Sequence, residues 1–361
     1  MLILSAFCVG GPFAPVRAQV TKEPPKKEKA TATLKVGDRA PALKVTKWLQ
    51  GDEVKTFEPG KVYVVEFWAT WCSPCIAFMP HLAEIQSIYK DNNVTVIGFT
   101  SRDILGKGEH TESKVAEFVK KRGPKLKYTF VYSDDNVTAD AWMKAADVEG
   151  IPRSFVVDKA GRIAYIGHPM YLPMVMPKVV AGTATAEAIG DEMAKVEAEF
   201  NTLARDLYSD PKAGLRTLKS LEAKYPLLVD FFMSVRIKLS CLPKYGEAGE
   251  AKEYAERLVA RAIKRDDQLA LTMVSNIFRS GDGKERKELL AIAVKAAEAE
   301  VRLAGGTDFQ ALINLASTYS VAGNAAKAKE YAGKAVEAAA GEPAATKEYV
   351  EKEARRLGFE K

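Results

Sequence analysis

The chain has 361 residues, four cysteines, three histidines and a formal charge of +6 from 53 basic and 47 acidic side chains. At roughly 150 residues per domain this length suggests two domains, each able to bury a core without disulfide staples. So few cysteines and scattered histidines exclude a disulfide framework and an ordinary Cys/His zinc cluster, and the small, dispersed basic excess excludes a nucleic-acid-binding face.

Residues 1–18 are an apolar run ending in Val16-Arg17-Ala18, a small-x-small pattern suited to cleavage before Gln19. A signal peptide is therefore expected, and with it an exported, periplasmic or otherwise extracytoplasmic protein. Cys8 follows Phe7, where lipidation needs a small residue, and is expected to leave with the signal. No other run approaches the roughly 18 apolar residues of a membrane span. Residues 19–33 are rich in Pro, Lys and Glu without apolar periodicity, as a flexible linker would be.

From 34 to 182, short β-rich runs alternate with amphipathic segments. Strands are expected at 62–68, 94–99, 128–132, 154–157 and 162–166, and helices at 75–89, 112–122 and 139–145, a pattern that predicts an α/β sheet. From 183 to 361 the composition shifts to Ala, Glu, Lys and Leu at helical spacing. Similar five-residue segments begin at Ala251, Arg286 and Ala328, at offsets of 35 and 42 residues, and each continues into an Ala-rich helix. In the last unit Leu312, Leu315, Ala316, Tyr319, Gly323, Ala328 and Ala335 fall where a tetratricopeptide unit of about 34 residues has its packing positions. An all-α helical-repeat domain resembling tetratricopeptide repeats is expected here, with an ordinary helical bundle as the alternative.

The chemistry lies in Trp71-Cys72-Ser73-Pro74-Cys75, directly after an expected strand and at the start of a helix. A thiol at a helix N-terminus meets unpaired amides and the positive end of the dipole, which favour thiolate. A second thiol one turn inward is close enough to resolve a mixed disulfide. Structural zinc would need a second Cys pair, which the sequence lacks, and a purely structural disulfide closing so short a loop removes little unfolded-state entropy.

These residues, with Val36-Gly37-Asp38-Arg39-Ala40-Pro41, Gly150-Ile151-Pro152 and Val157-Asp158-Lys159-Ala160-Gly161, resemble the exported TlpA-type thioredoxin-like thiol-disulfide oxidoreductases over about residues 34–181. The resemblance implies a thioredoxin-like fold in which Cys72 is the exposed nucleophile, Cys75 the buried resolving thiol and Pro152 a cis proline facing the pair, with Ile151 offering its backbone to substrate. It also implies that Glu66, six residues before Cys72, sits beneath the resolving cysteine and relays its proton; burial would raise its pKa to suit. Trp71, Ser73, Pro74 and Arg153 are the expected substrate-facing residues. Ser73-Pro74 replaces the Gly-Pro of reducing thioredoxins, so the redox potential does not follow by analogy. Arg153 stands where Thr or Val is commoner, either near the thiolate and an acidic substrate or simply solvated.

Beyond the redox-active disulfide no cofactor or metal is expected. His81 reads as a packed helix residue, while His110 and His168 have no metal-like partner at i+4. Cys241 reads as a buried structural thiol of the helical domain. The expected partners are a protein disulfide or dithiol substrate and an upstream electron donor protein. Two alternatives stay open. A peroxiredoxin-like thiol peroxidase shares the opening motif but needs Thr three residues before its reactive cysteine, where Ala69 stands. The other is a helical-repeat scaffold whose redox domain is secondary.

Overall fold

The structure is a computed structural model and describes residues 33–106, 110–228, 248–279 and 287–359. The expected signal peptide at 1–18, all but the last residue of the expected linker, and Cys8 and Cys241 lie outside the described residues. The chain divides into two compact units between Glu197 and Ala198.

The first unit is built on one six-stranded mixed sheet. Its strands are β1 (Lys47–Gln50), β2 (Val62–Phe67), β3 (Val94–Ser101), β4 (Thr129–Ser133), β5 (Arg153–Val157) and β6 (Ile163–Gly167), in the order β1-β4-β3-β2-β5-β6. β2 and β4 lie parallel to β3, while β1, β5 and β6 join antiparallel. Every residue of β2 is buried, as its continuous Val/Tyr/Phe run requires of a strand covered on both faces. Alternation of side chains then gives the two faces different work. Phe67, Phe99 and Phe155 cluster on one, with ring centroids 5.2 and 5.5 Å from Phe67, and Trp142 packs 5.3 Å from Phe155. Glu66 and Trp68 belong to the other.

The longer helices among the described residues of this part are α1 (Ser73–Ile88), α2 (Glu112–Leu126), α3 (Leu172–Ala181) and α4 (Ala186–Ser209), the last crossing the division between the units. α2 starts at an N-cap, Thr111, whose hydroxyl accepts the Lys114 N–H at 3.4 Å. It runs past the expected stop at Arg122, through Gly123-Pro124, to a left-handed C-cap at Lys127 whose N–H closes on the Gly123 carbonyl. The segment expected as a helix at 139–145 is a short helical stretch over 137–144, wound as a wider π-helix from Asp140 to Lys144, that buries Trp142 and Met143.

The second unit is helical throughout its described residues beyond α4: α5 (Pro211–Lys224), α6 (Ala248–Lys264), α7 (Gln268–Arg279), α8 (Lys287–Leu303), α9 (Phe309–Val321), α10 (Ala325–Ala338) and α11 (Ala344–Arg356), with single 3-10 turns after α5 and α10. Ala251 and Ala255 of α6, Leu290 of α8, and Ala328 and Ala332 of α10 are buried, so the described first and last residues of the recurring segments all face a core. Leu312, Leu315, Ala316, Tyr319, Ala328 and Ala335 share one cluster, and Gly323 supplies the left-handed turn (φ +82°) between α9 and α10. A buried polar network ties α7, α8 and α9 together. Glu300 accepts from Thr272 Oγ1 at 2.7 Å and Asn314 Nδ2 at 2.6 Å, Asn314 Nδ2 also reaches Ser275 Oγ at 2.9 Å, and Arg279 Nη1 donates to Asn314 Oδ1 at 2.8 Å. Burial raises the Glu300 carboxyl to about 7, against the pull of its Thr272 and Asn314 hydrogen bonds.

Candidate redox site

β2 ends at Phe67, and five residues later Cys72 caps α1. Its backbone is non-helical (φ −86°, ψ 87°) and its Sγ accepts the Cys75 N–H at 3.2 Å, so the sulfur occupies the place of a capping oxygen. Pro74 lies in the first turn, where its missing N–H costs no intrahelical bond. The approach is held at several points: Trp68 N–H donates to the Phe99 carbonyl at 3.2 Å, Thr70 N–H to His110 Nε2 at 3.1 Å, and Cys72 N–H to the Ala69 carbonyl at 3.1 Å.

Cys72 and Cys75 form a disulfide, with S–S 2.02 Å and Cα atoms 5.3 Å apart. The exposure expected of Cys72 is not found in this oxidised state, where the residue is only 4% exposed. Bonded to Cys75 and turned towards the Cys75 N–H, its sulfur packs inward. The exposed groups at this end of the sheet are Trp71, at 40%, with Ser73 and Pro74.

Glu66 is 2% exposed and paired across the sheet with Ser154 on one side and Gly98 on the other. The Ser154 hydroxyl donates to Glu66 Oε2, whereas Oε1 accepts from no described residue. Burial raises the carboxyl to about 8; the Ser154 hydrogen bond, the Arg153 charge and the Arg153 backbone N–H oppose the rise without cancelling it. Gly98 leaves room for the indole above it, since a Cβ there would stand 3.1 Å from the Phe130 ring and 3.2 Å from Trp68 Nε1.

The Ile151-Pro152 bond is cis and immediately precedes β5, whose first residue, Arg153, pairs with Phe67. The β2–β5 register ends at that pair, so Pro152 lies just beyond the sheet at the end where the chain leaves β2. Arg153 is half-buried rather than fully solvated, and its charge bears on Glu66 and His168. His168 is buried with its ring edge-on to Phe78 of α1 at 4.8 Å, and its Nδ1 accepts the Met170 N–H at 3.2 Å. Burial, then the Arg153 and His81 charges, lower it to about 3, which keeps it a neutral acceptor.

Residues 35–170 match the Redoxin family model. Thiol-disulfide oxidoreductase ResA of Bacillus thuringiensis subsp. konkukian is 30% identical over 165 residues, 45% of this chain and 82% of that protein. The chain belongs to the redoxins, as a ResA/TlpA-type thiol-disulfide oxidoreductase. Protein FixW of Rhizobium leguminosarum is 32% identical over 151 residues, 42% of this chain and 68% of that protein. A thiol-disulfide isomerase from Corynebacterium glutamicum of known structure aligns with 39% of this chain and 96% of its own at 22% identity, with a TM-score of 0.33.

In this redoxin the residues singled out from sequence fall at one end of the sheet: Glu66 near the end of β2, Trp71 to Cys75 in the following loop and first turn of α1, and Ile151 to Arg153 at the start of β5. Among the described residues no three His, Cys, Asp or Glu side chains gather as a metal centre needs. Sequence reasoning did not single out Ser154 as the partner of Glu66, although a lone hydroxyl opening the Phe155-Val156-Val157 run was the available signal. His110 and His168 were weighed only as metal ligands, because the backbone amides from which they accept are not revealed by sequence spacing.

Proposed function

We propose that this redoxin is exported and passes electrons to protein disulfides through a mixed disulfide on Cys72. The Cys72 thiolate attacks a substrate disulfide, forming a Cys72–substrate bond and releasing one substrate thiolate. Cys75 then attacks the Cys72 sulfur, its proton passing to the Glu66 carboxylate, and releases the second thiolate. The pair is left as the Cys72–Cys75 disulfide, two electrons having moved to the substrate, and a donor protein restores the dithiol. What supports this reading above all is the Cys72–Cys75 disulfide at the start of α1, on a sheet whose central strand carries a buried carboxyl near neutral pKa. Trp71, Ser73 and Pro74 would form the rim on which substrate rests, and Ile151 would offer backbone pairing to an extended peptide. Arg153 would meet acidic substrate. Export rests on the apolar run at 1–18 and its Val16-Arg17-Ala18 end. No helix among the described residues is long and apolar enough to cross a membrane. The helical unit, resembling tetratricopeptide repeats in its last segment, would serve as the arm that docks a partner.

The test is capture. Full-length protein carrying Cys75→Ser lacks the resolving thiol, so the substrate stays bonded to Cys72 and is identified by mass after non-reducing electrophoresis. A protein adduct that vanishes in Cys72→Ser/Cys75→Ser is the expected result. Reaction with small disulfides but with no protein would sink the assignment of a protein substrate.

A further inference from the structure

His110 is 1% exposed and forty residues from the loop it touches. Its backbone is fixed on both sides, the N–H donating to the Arg102 carbonyl at 2.8 Å and the carbonyl accepting Tyr132 OH at 3.1 Å. The ring stands edge-on to Trp68, centroids 6.3 Å apart at 88°. Nδ1 lies 3.2 Å from Thr100 Oγ1 and 3.3 Å from the Ser101 carbonyl, and Nε2 lies 3.1 Å from the Thr70 amide nitrogen.

These contacts admit one tautomer. An amide can only donate, so Nε2 must present its lone pair to Thr70. The ring proton then resides on Nδ1, where the Ser101 carbonyl, which can only accept, receives it. Burial, reinforced by the Lys114 charge, lowers the His110 pKa and favours the neutral ring; the Ser101 hydrogen bond opposes this.

We infer that His110 is a positioning residue of the redox site: its Nε2 lone pair fixes the Thr70 amide and thereby sets where Cys72 Sγ meets the N-terminus of α1. Thiolate stabilisation at a helix end falls off within the first turn, so small displacements of the sulfur count. Thr70 is two residues before the cysteine. Freed from His110, its amide loses its partner, and the loop between Trp68 and Cys72 is held at one point fewer.

The inference rests on Cys72 being the attacking thiol, but its first test does not. The chain has three histidines, so nitrogen-15 labelling of histidine gives few signals to assign. In the native full-length protein His110 should show a pyridine-type Nε2 and a protonated Nδ1. A proton on Nε2 overturns the inference, whatever the substrate. The second test is the rate at which iodoacetamide alkylates Cys72 in reduced protein, read on the Cys72 peptide. His110→Leu should slow it about fivefold, the equilibrium equivalent of one ordinary hydrogen bond. His110→Gln, whose Oε1 can take the place of Nε2, should recover most of the loss. Unchanged alkylation in His110→Leu, or equal slowing in both variants, would overturn the inference, the latter because the ring would then act through its volume alone.

Discussion

Replacing Glu66 by Gln separates the burial of this carboxyl from its chemistry. A rise from 4.5 to about 8 corresponds to about 5 kcal/mol at roughly 1.36 kcal/mol per unit. The sign follows from proton binding. Between about pH 4.5 and pH 8 the folded unit retains the Glu66 proton and the unfolded chain does not, so stability falls as pH rises through that window and levels off above it. Integrated from pH 5 to pH 9, the loss is about 4 kcal/mol. Glu66→Gln should abolish this loss, although its amide nitrogen, placed where Oε1 finds no described partner, costs about 1–3 kcal/mol at every pH. The quantity to compare is therefore the slope against pH and not the absolute stability. All four tryptophans, Trp48, Trp68, Trp71 and Trp142, belong to the first unit, so tryptophan fluorescence during urea unfolding follows that unit alone. Parallel stability profiles for the two proteins from pH 5 to pH 9 would refute the buried, proton-holding carboxyl. The same variant should slow resolution of the mixed disulfide increasingly as pH rises through about 8, where Glu66 ionises and can receive the Cys75 proton while Gln cannot.

Trp71→Ala should cost about 1 kcal/mol of stability, because the partly exposed side chain is 40% open, yet slow reduction of a protein disulfide more than that of a small aromatic disulfide. Equal slowing of both would deny Trp71 a part in docking. In the helical unit, Asn314→Ala leaves Glu300, Ser275 and Arg279 short of a buried partner and should cost about 2–3 kcal/mol. Loss of helical circular dichroism at lower denaturant, with the tryptophan transition unmoved, is the expected signature. Because the Glu300 carboxyl is raised to about 7, stability of this unit should fall as pH rises from about 4.5 to 7, and Glu300→Gln should flatten that fall in the same circular dichroism assay.

Much of the first unit was legible because its signals are local. The β-branched Val62 to Phe67 run reads as a doubly covered strand, Pro74 marks a helix start, and Gly150-Ile151-Pro152 carries a family pattern. β1 was missed because an edge strand of four residues, Lys47 to Gln50, has too little alternation to stand out. No helix was expected at α3, where Pro173 and Pro177 interrupt the helical pattern, although its apolar side is buried and Gly182 closes it with a left-handed cap. α2 overran its expected end because Gly123 is buried against Gln50, whose Nε2 donates to the Gly123 and Tyr128 carbonyls at 3.0 and 2.7 Å. At the site, the contacts of Ser154 with Glu66 and of His110 with Thr70 join residues 88 and 40 positions apart. Such pairs follow from sheet register and loop path, which one sequence does not encode locally.

The inward turn of the oxidised pair gives the disulfide a form of kinetic insulation. Thiol exchange needs the attacking sulfur to reach its target, and access enters the rate as directly as thiolate character does. With Cys72 covered while Trp71, Ser73 and Pro74 stay open, a dissolved small thiol collides mostly with the rim. A protein donor that grips the rim can bring its cysteine onto the sulfur in one encounter. Under the function proposed above, the occupancy of the dithiol form would be set by the supply of matching donor, and the pair would stay oxidised or reduced out of balance with the bulk thiol pool around it.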